Sequence, residues 1–489
     1  MDEVAAYARH QKGRGDQRPN VVFILSDDHA AHAVGAYGSV VNETPRIDEI
    51  AAHGWRLDNC FAANSLCSPS RASILTGTHS HVNGVTTLAT FIDASQPTFI
   101  TQLRDAGYRT AIVGKWHMGD GPGHDPEGFD HWDVLIDQGE YHDPRFLSAT
   151  GVRRVSGYAT DVITDMALDW VEGLPGDEPW CLLICHKAPH RPWEPDAAHA
   201  DLYRDPIPLP ETFHDDYATR TSSARRAAMR IADHLNHEDL KQEPPMGLSY
   251  EEEALWKYQR YMEDYLRCVA SVDDNVGRVI DWLRDRDEFE DTLLVYTSDQ
   301  GFFLGDHGWF DKRFMYEESL RMPLVLSYPR RLPSGGVHAG IVTNVDFAQT
   351  ILDATGVPHH ARMQGRSFWA DLTGQGPLPR AEGMYYRYWQ HDDPNHHAPA
   401  HYGYRTERHK LIYFYNDGLG LAGTGPAIYP GEWELYDLEA DPHELRNVVD
   451  DPAYRQVRDD LARRLWDEQA RLGDVPHPSQ PRPPAISGN

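Results

Sequence analysis

Positive charge is what this chain has least of, relative to its size. It holds 46 Lys and Arg against 75 Asp and Glu, a formal charge of −29 at neutral pH. Nucleic acid, anionic membrane surfaces and long polyanionic polymers are therefore poor partners for it. Cysteine is scarce, five in 489 residues. Spread so thinly, these make no disulfide framework, which agrees with a reducing compartment. No stretch approaches the ~18 uninterrupted apolar residues that a membrane span needs. The first twenty residues (MDEVAAYARHQKGRGDQRPN) contain no apolar core of a secretion signal, so a cytoplasmic enzyme is the expectation. No internal repeat is visible.

What remains is a soluble globular profile, 40% apolar and 25% charged, in a chain long enough for one large and one small domain. Short apolar runs alternate with helical segments. Val21–Leu25, Thr110–Val113, Trp180–Cys185 and Thr292–Thr297 read as buried strands. Each delivers a polar cluster at its C-terminal end: Ser26-Asp27-Asp28, Gly114-Lys115-Trp116-His117, His186 to His190, and Ser298-Asp299-Gln300-Gly301. Helices are expected over Thr44–Gly54, Thr98–Ala106, Val162–Val171 and Tyr250–Arg284, with a surface excursion over 203–249. This is the grammar of a large, mostly parallel α/β sheet flanked by helices, and ligands in such sheets sit outside the strands' carboxyl ends. Past Pro358 the grammar changes. Strands are expected at Met384–Trp389, Tyr404–Arg408, Lys410–Tyr415 and Trp433–Asp437, then a helix over Tyr454–Leu472, making a smaller α+β subdomain. The expected divisions are a flexible leader (1–18), a catalytic domain (19–375), the C-terminal subdomain (376–473) and a proline-rich extended tail (474–489).

The most specific stretch is Cys67-Ser68-Pro69-Ser70-Arg71, inside NSLCSPSRASILTG. Given this composition, chance supplies about 0.03 matches to a cysteine followed by Pro at +2 and Arg at +4. A half-buried thiol at a loop-to-helix junction is the plainer account, since Pro69 suits a first helical turn. The run resembles the signature of the type I sulfatases, of the alkaline phosphatase superfamily. That resemblance implies that Cys67 is oxidised after translation to formylglycine by a formylglycine-generating enzyme, and that the aldehyde hydrate is the nucleophile. Thr78 departs from the Arg or Lys common in that family, outside the C-x-P-x-R core.

Asp27, Asp28, Asp299 and Gln300 offer three carboxylates and an amide oxygen at one sheet edge. This is a hard, oxygen-only site suited to Ca²⁺ or Mg²⁺ and poor for zinc. The resemblance implies one Ca²⁺ there, with Gln300 standing where many members have Asn. It also assigns Lys115 and His117 in G-K-W-H, His190 in A-P-H, and Lys312 in DKRFMYEESLRMP to the catalytic set. Hydrated formylglycine would attack sulfur, His190 or Lys312 would protonate the leaving alcohol, His117 would help the second hydroxyl expel sulfate, and Arg71 would orient the diol. Three carboxylates, a divalent ion and the cations Arg71, Lys115 and Lys312 leave the pocket net positive, suited to a sulfate monoester and also to phosphate or phosphonate.

Cys181 and Cys185 read as buried thiols on one strand face, and His29 and His32 as residues that shape the metal loop. His307 either touches substrate or holds a turn. The Tyr, Trp and His residues of Tyr385–His409, with Trp389 and His401 as candidates, form either subdomain core or a sugar-stacking wall. The expected function is hydrolysis of a sulfate ester on a small sugar, such as 6-sulfated N-acetylglucosamine, with aryl sulfates as artificial substrates. A phosphonate or phosphodiester hydrolase with the same nucleophile is the rival enzyme, and a sulfo-sugar binding protein the rival without catalysis.

Overall fold

The computed structural model describes residues 18–175, 178–374 and 381–483. The leader expected over 1–18 lies outside these except for Arg18, as does the expected domain boundary at 375/376.

The strands in chain order are β1 (Asn20–Ser26), β2 (Trp55–Phe61), β3 (Arg109–Lys115), β4 (His131–Leu135), β5 (Arg145–Ser148), β6 (Gly151–Arg154), β7 (Trp180–Cys185), β8 (Thr292–Ser298), β9 (Phe303–Leu304), β10 (Phe310–Asp311), β11 (Leu324–Ser327), β12 (Gly336–Thr343) and the subdomain strands β13 (Met384–Tyr388), β14 (His401–Arg405), β15 (His409–Phe414) and β16 (Glu432–Asp437). Ten form one sheet, in the order β12-β2-β11-β8-β1-β7-β3-β4-β5-β6. Its centre, β8-β1-β7-β3-β4, is parallel throughout. The antiparallel pairs lie towards the two sides.

Alternation along β1 shows why both faces are covered. Val22 and Ile24 join a core with the Ala159–Glu172 and Tyr250–Asp285 helices, while Val21, Phe23 and Leu25 join a second core with the Cys67–Thr76, Phe99–Asp105 and Phe347–Thr355 helices. A strand buried on both sides reads as a continuous apolar run, which is how its sequence reads. The register then lines up the catalytic ends. Ser26 pairs with Ser298, and Cys185 is the partner of both Leu25 and Gly114. Gly114 has φ +109, and a Cβ there would stand 1.9 Å from the Cys185 carbonyl, so only glycine lets β3 and β7 approach just before Lys115.

The small sheet, β13-β14-β15-β16, is antiparallel. The Arg455–Leu472 helix covers one face through Leu461, Leu465 and Leu472, and the other face meets Phe314, Met315 and Tyr316 of the large domain. Three expectations are corrected. The second subdomain strand runs His401–Arg405 rather than Tyr404–Arg408. The described part of the tail is docked: Asp474 and Gln480 are buried, Arg387 pairs with Asp474 at 2.6 Å, and the Tyr402 hydroxyl donates to Gln480. The 203–249 segment is not confined to the surface, since Phe213, Arg220, Met229 and Ile231 are buried in it.

Candidate active site

Cys67 is the first residue of the Cys67–Thr76 helix, all ten of whose residues are buried. Leu66, the residue before it, is extended, and Pro69 falls in the first turn, where a missing N–H costs nothing. The thiol is 1% exposed. Burial, then the Asp27 carboxylate, push it up to about 12. At neutral pH it is a protonated thiol, and a protonated thiol is a weak nucleophile.

Oxygens of Asp27, Asp28 and Asp299 lie within 4.8 Å of one another, and all three residues are fully buried. Asp28 has φ +66, a strained conformation for a non-glycine residue, and its backbone N–H donates to Asp299 Oδ1 at 3.2 Å. Gln300 Nε2 is 2.5 Å from Asp28 Oδ1 and 4.0 Å from Cys67 Sγ. Among the described residues, Asp27 Oδ1 and Gln300 Oε1 are buried without a hydrogen-bond partner. Other buried polar atoms are unpaired too, but these two belong to the residues of the carboxylate cradle, where unpaired oxygens fit as ligands of a hard cation.

Three cations and two imidazoles surround this cradle. Lys115 donates to Asp27 and, at 2.5 Å, to Gln138 Oε1. Lys312 Nζ is 2.6 Å from both oxygens of Asp28. Burial works against the Lys312 charge, but Asp28 outweighs it and holds the ammonium well above its ordinary pKa. Arg71 Nε donates to Asp299 Oδ2 at 2.9 Å and Nη1 to the Lys115 carbonyl at 2.8 Å. Its Nη2 has no hydrogen bond and stands 3.6 Å from Asp27 Oδ2. His190 Nε2 lies 3.7 Å from Asp28, while its Nδ1 faces the Arg191 carbonyl at 2.7 Å. His117 has φ +56, and its Nδ1 lies 3.5 Å from the Ser68 hydroxyl. Burial, then Lys115, hold both imidazoles well below their usual range, so both are neutral near pH 7.

The structure therefore brings Cys67, Arg71, Lys115, His117, His190, Lys312, Asp27, Asp28, Asp299 and Gln300 to one sheet edge. It does not bring His307, Trp389 or His401 there as a pocket wall. His307 is fully buried, with Nδ1 2.9 Å from Asp215 Oδ2 and 2.8 Å from Arg220 Nη2, and so holds a turn. His401 is also fully buried, its ring 5.0 to 5.7 Å from those of Phe314, Tyr386, Tyr388 and Phe414. Trp389 is nearly buried and has the Arg387 guanidinium 3.4 Å above its ring. His29 bonds the Tyr296 hydroxyl and His32 faces Asp306 at 3.2 Å, so both brace the loop. Cys181 and Cys185 are buried thiols.

Several contributors escaped the sequence. Gln138 follows a strand that no apolar run advertises. Ser70 donates to the Asp299 carbonyl and accepts from Asn344 at 2.8 Å, clamping the nucleophile helix. Asp311 and Arg313 flank Lys312 and are joined at 3.1 Å in a buried cluster with His396 and Asp393. The run of three charged residues, Asp311-Lys312-Arg313, at the foot of an apolar loop is the one available signal.

A buried cradle of three carboxylates and an amide oxygen, matched by three fixed cations, suits one class of protein: metal-dependent hydrolases that take a tetrahedral anion from its ester. Comparison with known proteins narrows that class. The family model Sulfatase matches residues 19–357, and the model for the C-terminal region of N-sulphoglucosamine sulphohydrolase matches 305–471. The N-acetylglucosamine-6-O-sulfatase of Bacteroides thetaiotaomicron is 39% identical, over 96% of this chain and 89% of that protein. A solved sulfatase structure in complex with its substrate D-glucosamine-2-N,6-O-disulfate superposes with a TM-score of 0.86 at 38% identity, covering 94% of this chain and 98% of that one. The phosphonate monoester hydrolase of Agrobacterium radiobacter, at 21% identity and a TM-score of 0.71 over 93% of this chain and 96% of its own, shares the fold alone. The chain belongs to the sulfatase family, has its alkaline phosphatase-like fold, and is a sulfuric ester hydrolase.

Proposed function

We propose that this sulfatase removes a 6-O-sulfate from a small glucosamine or N-acetylglucosamine derivative, using formylglycine made from Cys67 and one Ca²⁺ held by Asp27, Asp28, Asp299 and Gln300. The observation that carries the nucleophile is the state of Cys67. A thiol pushed up to about 12, at the first turn of a fully buried helix, cannot serve as a thiolate, yet it lies against the carboxylate cradle. The substrate class is supported by the relative named for that activity and by the disulfated glucosamine of the similar structure. Asp311 and Arg313, an acceptor and a donor beside Lys312, would meet sugar hydroxyls.

Formylglycine hydrate would supply two hydroxyls, one to attack sulfur and one to drive sulfate out. The metal would supply two positive charges against the sulfate oxygens and the attacking hydroxyl. The chain's own groups do the rest. Lys115, Lys312 and the free Nη2 of Arg71 present fixed charge to the anion, so little reorganisation accompanies charge development at the transition state. Neutral His117 can accept a proton on the nucleophile's side, close to Ser68 in the same helical turn. His190 or Lys312 gives a proton to the leaving oxygen. For His190, burial first and then the lysine charges keep the ring neutral, and the anionic sulfate offsets the lysine part, so substrate shifts the ring towards the protonated acid.

The test pairs mass spectrometry of the 64–71 peptide with sulfate release from N-acetylglucosamine-6-sulfate and a matched phosphonate ester. Aldehyde or hydrate at position 67 should rise in proportion to specific activity, and Cys67→Ala should lose at least ~10³-fold in turnover while keeping its fold. A fully active preparation whose Cys67 alkylates quantitatively as a free thiol would end the formylglycine reading. Faster cleavage of the phosphonate would end the choice of substrate.

A further inference from the structure

Tyr386, on β13 of the small domain, reaches both halves of the catalytic site. Its side chain is fully buried. Its hydroxyl accepts from the Ser65 backbone N–H at 3.3 Å and donates to the Arg313 carbonyl at 2.9 Å. Ser65 lies two residues before Cys67, and Arg313 directly follows Lys312. One oxygen thus ties the nucleophile's loop to the loop that carries a sulfate-binding lysine.

The surrounding contacts point the same way. The Arg387 N–H, one residue along β13, donates to the Ala63 carbonyl at 3.0 Å. The Lys312 loop rests on the small sheet. Gly403 is the cross-strand partner of Tyr386, and a Cβ there would stand 2.5 Å from Met315 Sδ. Phe314 packs on His401 and Phe414 with ring centroids 5.7 and 6.3 Å apart. Asp311 and Arg313 hold φ of +76 and +83, so the loop's shape is imposed by what it packs on, not by local preference. The large sheet joins the same two segments only farther from the reacting groups, where the Ala62 N–H donates to the Leu320 carbonyl at 2.8 Å and the Met322 N–H to the Cys60 carbonyl at 3.0 Å, whereas Tyr386 joins them beside Cys67 and Lys312.

We propose that Tyr386 is a positioning residue that holds the nucleophile at a fixed separation from Lys312, making the small domain a determinant of the reacting geometry. The proposal rests on Cys67 and Lys312 having the roles given above. Removing the hydroxyl frees the two loops to drift relative to each other, and a misplacement of ~1 Å between reacting groups can cost about 100-fold in rate.

The experiment compares Tyr386→Phe with Tyr385→Phe, whose hydroxyl instead donates to Asp474 at 2.6 Å on the opposite sheet face. The readouts are kcat and KM on an aryl sulfate, thermal midpoint, and formylglycine content of the Cys67 peptide. Per formylglycine-bearing site, Tyr386→Phe should lose about 10- to 100-fold in kcat with KM held within about threefold. Tyr385→Phe should lose thermal stability while keeping wild-type kcat. A Tyr386→Phe kcat within twofold of wild type overturns the proposal, as does an equal kcat loss in Tyr385→Phe. Full wild-type activity without formylglycine would instead sink the nucleophile assignment, so the two failures are distinguishable. If Tyr386→Phe does not accumulate folded, 3-fluorotyrosine at 386 replaces it. That residue keeps nearly the same shape but makes the hydroxyl a stronger donor to the Arg313 carbonyl and a weaker acceptor from the Ser65 N–H. It should lower kcat by about two- to fivefold at an unchanged melting temperature, and an unchanged kcat overturns the proposal.

Discussion

Burial and the adjoining carboxylates raise Asp28 to about 7, even with Lys312 beside it, and burial with Asp27 raises Asp299 to about 6. Burial acts on Asp27 as well, but Lys115, with His190, Arg71 and Lys312, outweighs it and keeps that carboxyl well below its ordinary value. Three carboxylates this close resist full ionisation together, and a divalent ion removes the conflict by supplying charge at their common centre. Metal binding should therefore show in stability as well as in turnover. Saturating Ca²⁺ should raise the melting temperature of chelator-treated protein, by ~2.7 kcal/mol of stabilisation at 100 times the dissociation constant. Asp299→Ala should abolish both that rise and the recovery of activity. If the variant's melting point still rose with Ca²⁺ as the wild type's does, the ligand set would be wrong.

At the scale of elements, a buried charge cluster joins the segment after Lys312 to the small sheet. Lys410 of β15 donates to Glu444 at 2.7 Å and to Glu317 at 2.8 Å, while Arg405 of β14 pairs with both oxygens of Glu317 at 2.9 and 3.0 Å. Burial raises Glu444 to about 7, against Lys410, whereas Glu317, buried too, is pulled far down by Arg405 and Lys410. The unfolded value for Glu444 is about 4.3, so between roughly 4.3 and 7 the folded chain keeps a proton that the unfolded chain releases. Its contribution to stability is complete below about 4.3 and is lost as pH rises through 7. Glu444→Gln removes this term. Relative to the variant, wild type should lose up to ~1.4 kcal/mol per pH unit across that window. Urea midpoints from pH 4.5 to 7.5 measure it, and parallel curves for the two proteins would refute it.

Over the whole molecule, a formal charge of −29 surrounds one cation-rich pocket. A small sulfated sugar meets mainly the local field of Lys115, Lys312 and Arg71, whereas a sulfated polymer must lie along an acidic surface as well. Release of 6-sulfate from a disaccharide should exceed release from intact heparin at low salt. The polymer rate should then rise as salt shortens the Debye length from ~30 Å at 0.01 M to ~8 Å at 0.15 M. A polymer that is the faster substrate at low salt, or whose rate falls with added salt, would contradict this.

The primary structure alone determined the strand ends and what they carry. Apolar runs of four to six residues end just before Asp27-Asp28, Lys115 and Asp299-Gln300, and the Cys67 pentapeptide is too specific for chance. These are short-range signals, and a mostly parallel sheet turns them into a site simply by aligning carboxyl ends. Lys312 could be placed only by resemblance, because the two-residue strand β10 that delivers it is too short to read as an apolar run. The tertiary structure alone decided what His401 does. A crowded run of Tyr, Trp and His reads the same whether it faces a pocket or a core, and only the pairing of β14 with its neighbours turns His401 inward. It also decided the tail, whose composition suggests an extended leash but whose Asp474 meets Arg387 at 2.6 Å, 87 residues back along the chain. Above all it decided the Tyr386 bridge, which links residues at 65, 313 and 386. Contacts between segments so far apart leave no periodicity or motif, because they arise from how separate elements pack and not from the local preferences of any one of them.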